Sequence, residues 1–171
     1  MKHGGADYES FTAWATARRS ALMRTATFLT GDSARAEDLV QEALTKVAQR
    51  WPRLRDQNPD AYARQILARD NISWWRRNRH EISSHVPEPA RTPSIEARVE
   101  RRLVLLDALG RLTERQRSVL VLRYFDDLSE ADIAEALGVS TGTVKSTAHL
   151  ALRRLRELAP ELSDLLPLEI S

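Results

Sequence analysis

The sequence predicts an all-α fold made of two small helical domains joined by a flexible linker. Apolar residues recur at helical spacing in several separate stretches, and no stretch of useful length alternates apolar and polar residues as a strand does. A proline-rich segment divides the helical stretches into two groups. We therefore expect a first domain over residues 8–80, a linker over 81–95, a second domain over 96–158 and a C-terminal tail over 159–171.

Three helices are predicted for the first domain, over residues 8–30, 34–51 and 60–79. The sequence TGDS ends the first helix, and either Asp32 or Ser33 can cap the second. We expect Pro52 to end the second helix because proline lacks the amide donor that a helix interior uses. The sequence WPRLRDQNP, with its two prolines, then predicts a loop before the third helix.

The segment between the two domains, HEISSHVPEPARTPS, contains three prolines and little apolar periodicity, which predicts a linker. A helix is expected next over residues 95–109. Thr113 and Gln116 then form a capping-box pattern that begins another helix in LTERQRSVLVLRYF. The second domain is therefore expected to be helical as well.

Residues 128–155, LSEADIAEALGVSTGTVKSTAHLALRRL, carry the pattern of a helix-turn-helix motif. Ser129 and Asp132 approximate a capping box for a short helix, and Gly138 can take the left-handed conformation that ends it. Ser140 is a suitable N-cap for a longer second helix. That helix would bury Val144, Ala148, Ala151, Leu152 and Leu155. A DNA-binding motif and an ordinary helical hairpin with a solvated polar face both give this pattern.

The composition indicates a globular chain and excludes several kinds of site. Of the 171 residues, 42% are apolar and 29% charged, and no apolar run approaches the roughly 20 residues that span a bilayer. The N-terminal sequence MKHGGADYES lacks the apolar core of a signal peptide, so we expect a cytoplasmic protein without membrane insertion. The absence of cysteine excludes disulfides, thiolate catalysis and cysteine-bound zinc.

Charge is distributed unevenly along the chain. The net charge is only +2, but SWWRRNRH at 73–80 and LRRLRE at 152–157 are basic, whereas AEDLVQEA at 36–43 is acidic. Separate basic and acidic surfaces suit a polyanion and a basic protein partner, although chance clustering on a solvated surface explains either patch alone. The four histidines show no HExxH spacing, and neither a glycine-rich phosphate loop nor a GxSxG motif occurs. We therefore expect no enzyme, no catalytic or metal-binding residues and no cofactor.

The chain resembles a known family in three blocks. These are TATFLTGDSARAEDLVQEALTKVAQRW, DAYARQILARDNISWWRRNR and LTERQRSVLVLRYFDDLSEADIAEALGVSTGTVKSTAHLALRRLRE. They closely resemble the extracytoplasmic-function group, group 4, of the sigma-70 family of RNA polymerase sigma factors, and most of all its SigE-like actinobacterial subgroup. The resemblance covers roughly residues 8–158 in the family's order. It implies a sigma region 2 helical bundle for the first domain and a sigma region 4 helix-turn-helix for the second.

The resemblance implies a factor that binds core RNA polymerase and directs promoter-specific transcription initiation. Such a factor recognises the minus-10 and minus-35 elements and helps to melt the minus-10 region. The implied partners are core RNA polymerase, promoter DNA and an anti-sigma factor, and no small-molecule substrate is implied. An independent helix-turn-helix repressor or activator is the nearest alternative. It would need a dimer interface to bind two half-sites, and neither a heptad pattern nor a sensor domain is evident.

The resemblance assigns the acidic second helix to core polymerase and the region after it to the minus-10 element. Asp38, Gln41 and Glu42 would contact the clamp helices of the largest core subunit, although a solvated helix face explains the same residues without a partner. The minus-10 candidates, which could bind a flipped base and opened single strand, are Arg53, Arg55, Gln57, Asn58, Arg64, Arg69, Trp74, Arg76 and Arg77. Any exposed turn has a composition like that of the loop, and at least one of Trp74 and Trp75 should belong to the core.

The helix that follows Gly138 is implied to contact the minus-35 element. The candidates are Ser140, Thr141, Thr143, Lys145, Ser146, Thr147, His149 and Arg153, with Arg154 also directed towards phosphates. Thr147 lies where many members carry arginine, so we expect minus-35 recognition here to depend more on DNA shape and backbone contacts. The tail LAPELSDLLPLEIS either packs across the second domain or frays.

Overall fold

A computed structural model describes residues 3–78 and 96–165 of the chain, and all regular structure in these residues is helical. The helices in the described residues are α1 (His3–Thr30), α2 (Ser33–Leu54), α3 (Pro59–Asn78), α4 (Glu96–Gly110), α5 (Glu114–Leu120), α6 (Glu130–Leu137) and α7 (Thr141–Leu158). A π-helical segment, Val121–Phe125, follows α5, and a 3₁₀ turn, Pro160–Leu165, follows α7. The predicted all-α fold is confirmed, and the predicted linker, 81–95, lies outside the described residues. Among the described helices, none is long and apolar enough to cross a membrane.

The predicted helix ends are confirmed where a side chain caps the backbone. The Asp32 carboxylate accepts a hydrogen bond from the Arg35 amide at 2.7 Å and begins α2. Thr113 and Gln116 form the reciprocal capping box of α5, and Ser129 and Ser140 are the N-caps of α6 and α7. Gly138 ends α6 with φ 66°, in the left-handed region that favours glycine. Each of these ends depends on residues within one helical turn.

The prediction that Pro52 ends the second helix is wrong, because α2 continues to Leu54 with Pro52 inside it. Proline removes one backbone donor, but so near a helix end the loss affects only the last turn. The Trp51 carbonyl still accepts a hydrogen bond from the Arg55 amide at 2.9 Å, and the Trp51 ring is buried against Trp14, with ring centroids 5.3 Å apart. The connection between α2 and α3 is therefore only the short turn 55–58.

The π-helical segment between α5 and α6 has no counterpart in the sequence predictions. The Asp126 amide donates to the Val121 carbonyl at 3.2 Å, one residue further than in an α-helix. The Leu128 amide then donates to the Leu122 carbonyl at 3.0 Å. Asp126 and Asp127 follow the segment directly, and Asp127 has φ 53°.

The two groups of helices, α1–α3 and α4–α7, share a continuous apolar core. Buried leucines from the first group pack in one cluster with buried leucines from the second; the cluster includes Leu22, Leu29, Leu39, Leu67, Leu109, Leu120, Leu152 and Leu155. A second cluster fills the helix-turn-helix around Ile133 and Val144, and Ala68 of α3 belongs to it. The sequence predicted two domains but gave no sign of this direct contact between them.

The start of the C-terminal tail packs onto the second group of helices. Ala159 and Leu162 are buried in the first core cluster, with 0% and 2% of their surface exposed. Of the two alternatives for the tail, packing therefore holds for this part, and residues 166–171 lie outside the described residues.

Candidate nucleic-acid interface

Helix α7 separates a buried apolar face from an exposed polar face. All five residues predicted to be inward, Val144, Ala148, Ala151, Leu152 and Leu155, are buried. None of the predicted minus-35 residues is buried: Ser140, Thr141, Lys145, Ser146, His149 and Arg153 are exposed, and Thr143 and Thr147 are half-buried. Leu150 is exposed among them. The polar residues that lie between the apolar positions in the sequence thus form one polar surface on α7. This surface starts at the N-terminus of the helix, where backbone amides and the helix dipole favour anions.

The hydroxyl groups at the start of α7 hold its first turn. The Ser140 hydroxyl accepts a hydrogen bond from the Thr143 amide at 3.1 Å and lies 2.9 Å from the Thr143 hydroxyl. The Ser146 hydroxyl donates to the Thr143 carbonyl at 3.1 Å. Ser140 therefore has a structural role as a cap, whereas Thr141 and His149 have no side-chain hydrogen bond to another described residue and are open to a ligand.

Glu130 connects two cations beside this surface and was not found from the sequence. Its carboxylate lies 3.0 Å from the Arg123 guanidinium and 3.5 Å from the Lys145 ammonium. The Lys145 side chain remains 58% exposed. No local pattern joins a residue of α6 to the π-helical segment and to α7, so only the folded motif brings the three charges together.

The acidic face of α2 is exposed opposite its buried face. Asp38, Gln41 and Glu42 are all exposed, while Leu39, Val40 and other apolar residues of α2 are buried. None of these three polar side chains has a hydrogen bond or ion pair to another described residue. The spacing of three and four positions places them side by side along the helix.

The predicted minus-10 residues near the α2–α3 turn have different local roles. Arg53 lies on the last turn of α2 and Gln57 on the turn itself, and both are exposed. Arg55 is ion-paired with Asp7 of α1 and lies 3.4 Å from Asp56. The Asn58 side-chain carbonyl accepts a hydrogen bond from the Ala61 amide at 3.0 Å, which stabilises the start of α3.

Two predicted minus-10 arginines on α3 point into the second group of helices. The Arg64 guanidinium lies 3.5 Å from the carboxylate of Asp126, and only 23% of the Arg64 side chain is exposed. Arg69 donates from Nε to the Ala136 carbonyl at 2.5 Å and from Nη2 to the Glu135 carbonyl at 2.7 Å. These carbonyls end α6, where the helix dipole is negative and intrahelical donors are lacking. Further along α3, Arg76 and Arg77 are exposed.

The adjacent tryptophans are half-buried and each stacks against a different arginine. The Arg35 guanidinium lies 4.6 Å from the Trp74 ring centroid, and the Arg117 guanidinium lies 5.5 Å from that of Trp75. The two indoles meet edge-on at 5.5 Å. Trp75 Nε1 is buried without a described acceptor, which agrees with the expectation that one tryptophan packs inward.

Buried polar groups, which sequence reasoning missed, join the two groups of helices. The Leu29 carbonyl at the end of α1 accepts hydrogen bonds from Arg117 of α5 at 2.9 Å and from Asn71 of α3 at 3.2 Å. Asp126 accepts a hydrogen bond from the Thr25 hydroxyl of α1 at 2.7 Å. Among these groups, Arg117 could have been found from the sequence. Buried apolar residues lie three and four positions after it, so an arginine interrupts an apolar helix face.

Burial sets the pKa of both charged groups at this junction. It raises the pKa of Asp126, and the hydrogen bond from Thr25 and the charges of Arg64 and Arg24 oppose that shift. Burial lowers the pKa of Arg117, and nearby Glu114 opposes this change. Because an arginine remains charged in proteins, Arg117 is a buried cation whose partners are backbone carbonyls.

Two family models match the chain. The model described as sigma-70 region 2 matches residues 14–81, and the model described as sigma-70, region 4 matches residues 102–155. The RNA polymerase sigma-E factor of Streptomyces avermitilis is 40% identical over 160 residues, which cover 92% of this chain and 88% of that protein. The ECF RNA polymerase sigma factor SigL of Mycobacterium tuberculosis is 38% identical over 149 residues, covering 82% and 84%.

A solved structure is also similar across both groups of helices. The sigma factor RpoE of Bartonella quintana, in complex with the anti-sigma factor NepR, matches with a TM-score of 0.72 and 28% sequence identity. The match covers 88% of this chain and 96% of that one.

Proposed function

This chain belongs to the sigma-70 family of RNA polymerase sigma factors, in its extracytoplasmic-function group. We propose that three of its surfaces bind core polymerase, the minus-10 element and the minus-35 element, respectively. Sigma factors direct promoter-specific transcription initiation, and this is the function of the chain. It is an initiation factor that acts on RNA polymerase. We assign residues 8–80 to region 2, 81–95 to the linker, 96–158 to region 4 and 159–171 to the tail.

The acidic face of α2 is our candidate for binding core polymerase. Asp38, Gln41 and Glu42 are exposed and lie next to one another, and a basic coiled coil would complement them. Replacing Asp38 and Glu42 together with lysine should weaken core binding strongly, because both attractive charges become repulsive. Glu9→Lys, at an exposed site on α1, is the matched control and should bind core polymerase like the wild type.

The turn after α2 and helix α3 are our candidates for the minus-10 element. Arg53, Gln57, Arg76 and Arg77 are exposed, and Trp74 offers a half-buried ring beside them in sequence. Arginine can neutralise phosphates and an indole can stack on an unpaired base. Arg55, Asn58, Arg64 and Arg69 also belong to the candidate set, and each has an intrachain contact that DNA binding would have to replace or retain.

The polar face of α7 is our candidate for the minus-35 element, and it is the observation that best supports a DNA-binding role. Eight candidates, Ser140, Thr141, Thr143, Lys145, Ser146, Thr147, His149 and Arg153, lie on or immediately before α7, and none of them is buried. Short polar side chains can approach base edges in a major groove, and the flanking cations suit phosphates.

In vitro transcription of fragmented genomic DNA by purified core polymerase, with and without this protein, tests the function. We expect new transcript starts that share two spaced upstream elements, and sequencing the transcripts would define both. Lys145→Ala with Arg153→Ala should abolish the dependence on the upstream element, whereas Arg115→Ala, at an exposed site on α5, should not. Specific DNA binding without polymerase, together with no new starts, would instead support an autonomous helix-turn-helix regulator.

We also propose that the chain works in the cytoplasm, where RNA polymerase acts on the chromosome, and that an anti-sigma protein holds it inactive. The similar sigma factor of Bartonella quintana is found in complex with such a protein. Purification of the tagged chain from its native cells should then yield a stoichiometric partner that blocks core binding. Recovery of the chain only with core polymerase under every growth condition would contradict this proposal.

A further inference from the structure

Leu150 is a large apolar side chain on the polar face of α7, and 45% of its surface is exposed. We propose that Leu150 is a specificity-determining residue of the minus-35 surface, and that its side chain packs against the C5 methyl group of a thymine in the major groove. This inference deepens the proposed function of α7 and rests on it. The minus-35 candidates named above are all polar, so the contact made by Leu150 differs in kind from theirs.

Packing within the described part of the chain does not account for the position of Leu150. The buried residues of α7 lie on the other side of the helix, and neither core cluster of the described residues includes Leu150. The other large apolar side chains exposed in the described residues are Tyr8, near the start of α1, and Phe125, whose ring centroid lies 4.3 Å from that of Phe28. Of these three described side chains, Leu150 alone lies within a candidate binding surface.

The neighbours of Leu150 on the helix surface are polar or cationic. Residues three and four positions apart are neighbours on a helix, so Ser146 and Thr147 lie one turn before Leu150, and Arg153 lies one turn after it. Ser146 and Arg153 are exposed and Thr147 is half-buried. A single exposed leucine needs no explanation on an ordinary surface. On a face whose hydroxyl groups and cations suit DNA, however, the leucine is covered whenever DNA binds.

The major groove offers one apolar group to such a side chain. Base edges there present hydrogen-bond donors and acceptors, and the C5 methyl group of thymine is the apolar exception. Leucine has neither a donor nor an acceptor, so against other base edges it would cover polar atoms without pairing them, at a cost in free energy. Leu150 should therefore favour thymine at one position, on either strand, and disfavour cytosine there.

Helix geometry limits where this thymine can lie. For a helix that lies along the groove, Leu150 is about 4.5 Å beyond Thr147, and successive base pairs are about 3.4 Å apart. Long side chains on a helix also lean towards its N-terminus, which brings Leu150 back over the turn that carries Thr147. The thymine should therefore lie within about two base pairs of the pair that residue 147 contacts.

Replacement of thymine by deoxyuridine tests the contact, because it removes the methyl group and leaves Watson–Crick pairing unchanged. The probe is a promoter duplex mapped by in vitro transcription, in which each minus-35 thymine on either strand is replaced in turn. Core polymerase carrying the full chain binds these duplexes. We expect one replacement to weaken binding by the wild type about fourfold, as the burial of one methyl group predicts. With Leu150→Ala, the same replacement should have no effect.

Two variants of similar size separate an apolar contact from mere filling of space. Leu150→Met keeps an apolar side chain and should keep the preference for thymine over deoxyuridine, whereas Leu150→Gln should lose it. Methionine and glutamine both suit a helix, and position 150 is exposed. The midpoint of urea unfolding should therefore be the same for both variants as for the wild type.

The salt dependence of binding gives a second measurement. An apolar contact releases no counterion, so Leu150→Gln should weaken binding without changing the slope of the logarithm of the binding constant against the logarithm of salt concentration. Arg153→Gln, one turn further along α7, is the matched comparison. It should reduce that slope by about 1 if Arg153 contacts a phosphate.

The possible outcomes separate this inference from the proposed function. If promoters are mapped but no deoxyuridine replacement weakens binding by the wild type, the contact of Leu150 with thymine is overturned and the proposed function stands. A minus-35 element without thymine on either strand would have the same consequence. Equal weakening of thymine and deoxyuridine duplexes by Leu150→Gln would show that Leu150 contacts some other group. Absence of any polymerase-dependent start would overturn the proposed function and this inference with it.

Discussion

Replacing Arg117 with methionine should lower the free energy of unfolding by about 2–4 kcal/mol. Methionine retains much of the side-chain volume but removes every donor. Arg117 is 3% exposed and donates to carbonyls from the ends of α1 and α4 and from the connection to α5; these are Leu109 at 2.8 Å, Leu29 at 2.9 Å, Gly110 at 3.0 Å and Leu112 at 3.4 Å. The variant therefore leaves helix-terminal acceptors without their donor.

The magnitude follows from what each carbonyl retains. Leu29 keeps its hydrogen bond from Asn71, and Leu109 keeps one from the Leu112 amide at 3.1 Å, so these two acceptors are weakened but not orphaned. Gly110 and Leu112 keep no other described donor, and an orphaned buried acceptor costs about 1–3 kcal/mol. Two such acceptors together would cost about 2–6 kcal/mol. Water can reach exposed Gly110, and removal of a buried charge offsets part of the loss, so we expect the lower part of this range.

Urea unfolding followed by far-ultraviolet circular dichroism measures the change directly, because the described chain is helical. The corresponding fall in Tm should be on the order of 10 °C for a chain of this size. Arg115→Met, at an exposed position on the same helix, is the matched control and should stay within about 0.5 kcal/mol of wild type. An Arg117→Met protein as stable as that control would refute the role of Arg117 as the donor for these helix ends.

Three further predictions concern charge and specificity. Burial raises the pKa of Asp126, so the folded chain holds this proton more tightly than the unfolded chain does. As the pH rises above 3.8, the ordinary pKa of an aspartate, wild type should therefore lose stability relative to Asp126→Asn. Urea unfolding from acidic to neutral pH measures this, and a pH-independent difference in the free energy of unfolding between the two proteins would contradict it. Thr147→Arg should add about 1–3 kcal/mol of discrimination at one minus-35 base pair, which competition binding between DNA duplexes can measure. Loss of specificity at one base pair in Thr147→Ala would count against recognition by DNA shape. Glu130→Gln removes the carboxylate that pairs with Arg123 and Lys145, so it should tighten binding to duplex DNA at low salt. The slope of the logarithm of the binding constant against the logarithm of salt concentration should steepen by about 1–2. An unchanged slope would show that Glu130 does not restrain these two cations.

Helix ends were predictable from the sequence because a cap involves residues only a few positions apart. Asp32, Ser129 and Ser140 each accept a hydrogen bond from an amide three residues later. Gly138 has the positive φ for which glycine is suited. The polar face of α7 was predictable for a related reason, since one helical period determines which side chains share a face. The failure at Pro52 shows where tertiary packing outweighs a local rule, because the buried ring of Trp51 holds the last turn of α2.

The contacts between the two groups of helices were not predictable, because their partners are remote in sequence. Thr25 and Asp126 are separated by 101 positions, and Leu29 and Arg117 by 88. A single sequence carries no pairing information over such distances. The positions of Asp38, Gln41 and Glu42 on one helix face could be predicted from spacing, whereas the engagement of Arg64 and Arg69 could not.

The π-helical segment Val121–Phe125 fits one residue more than an α-helix does into about one turn. Each residue of an α-helix turns the chain by about 100°, but the wider π turn takes up the extra residue with little added rotation. Deletion of one residue here would therefore let the segment close as an ordinary α turn, and the helix-turn-helix would keep nearly the same direction. Deletion of one residue within α5 has no such turn to compensate for it, and would rotate Asp126 away from Arg64 by about 100°. The π-helical segment should therefore tolerate a one-residue deletion better than α5 does.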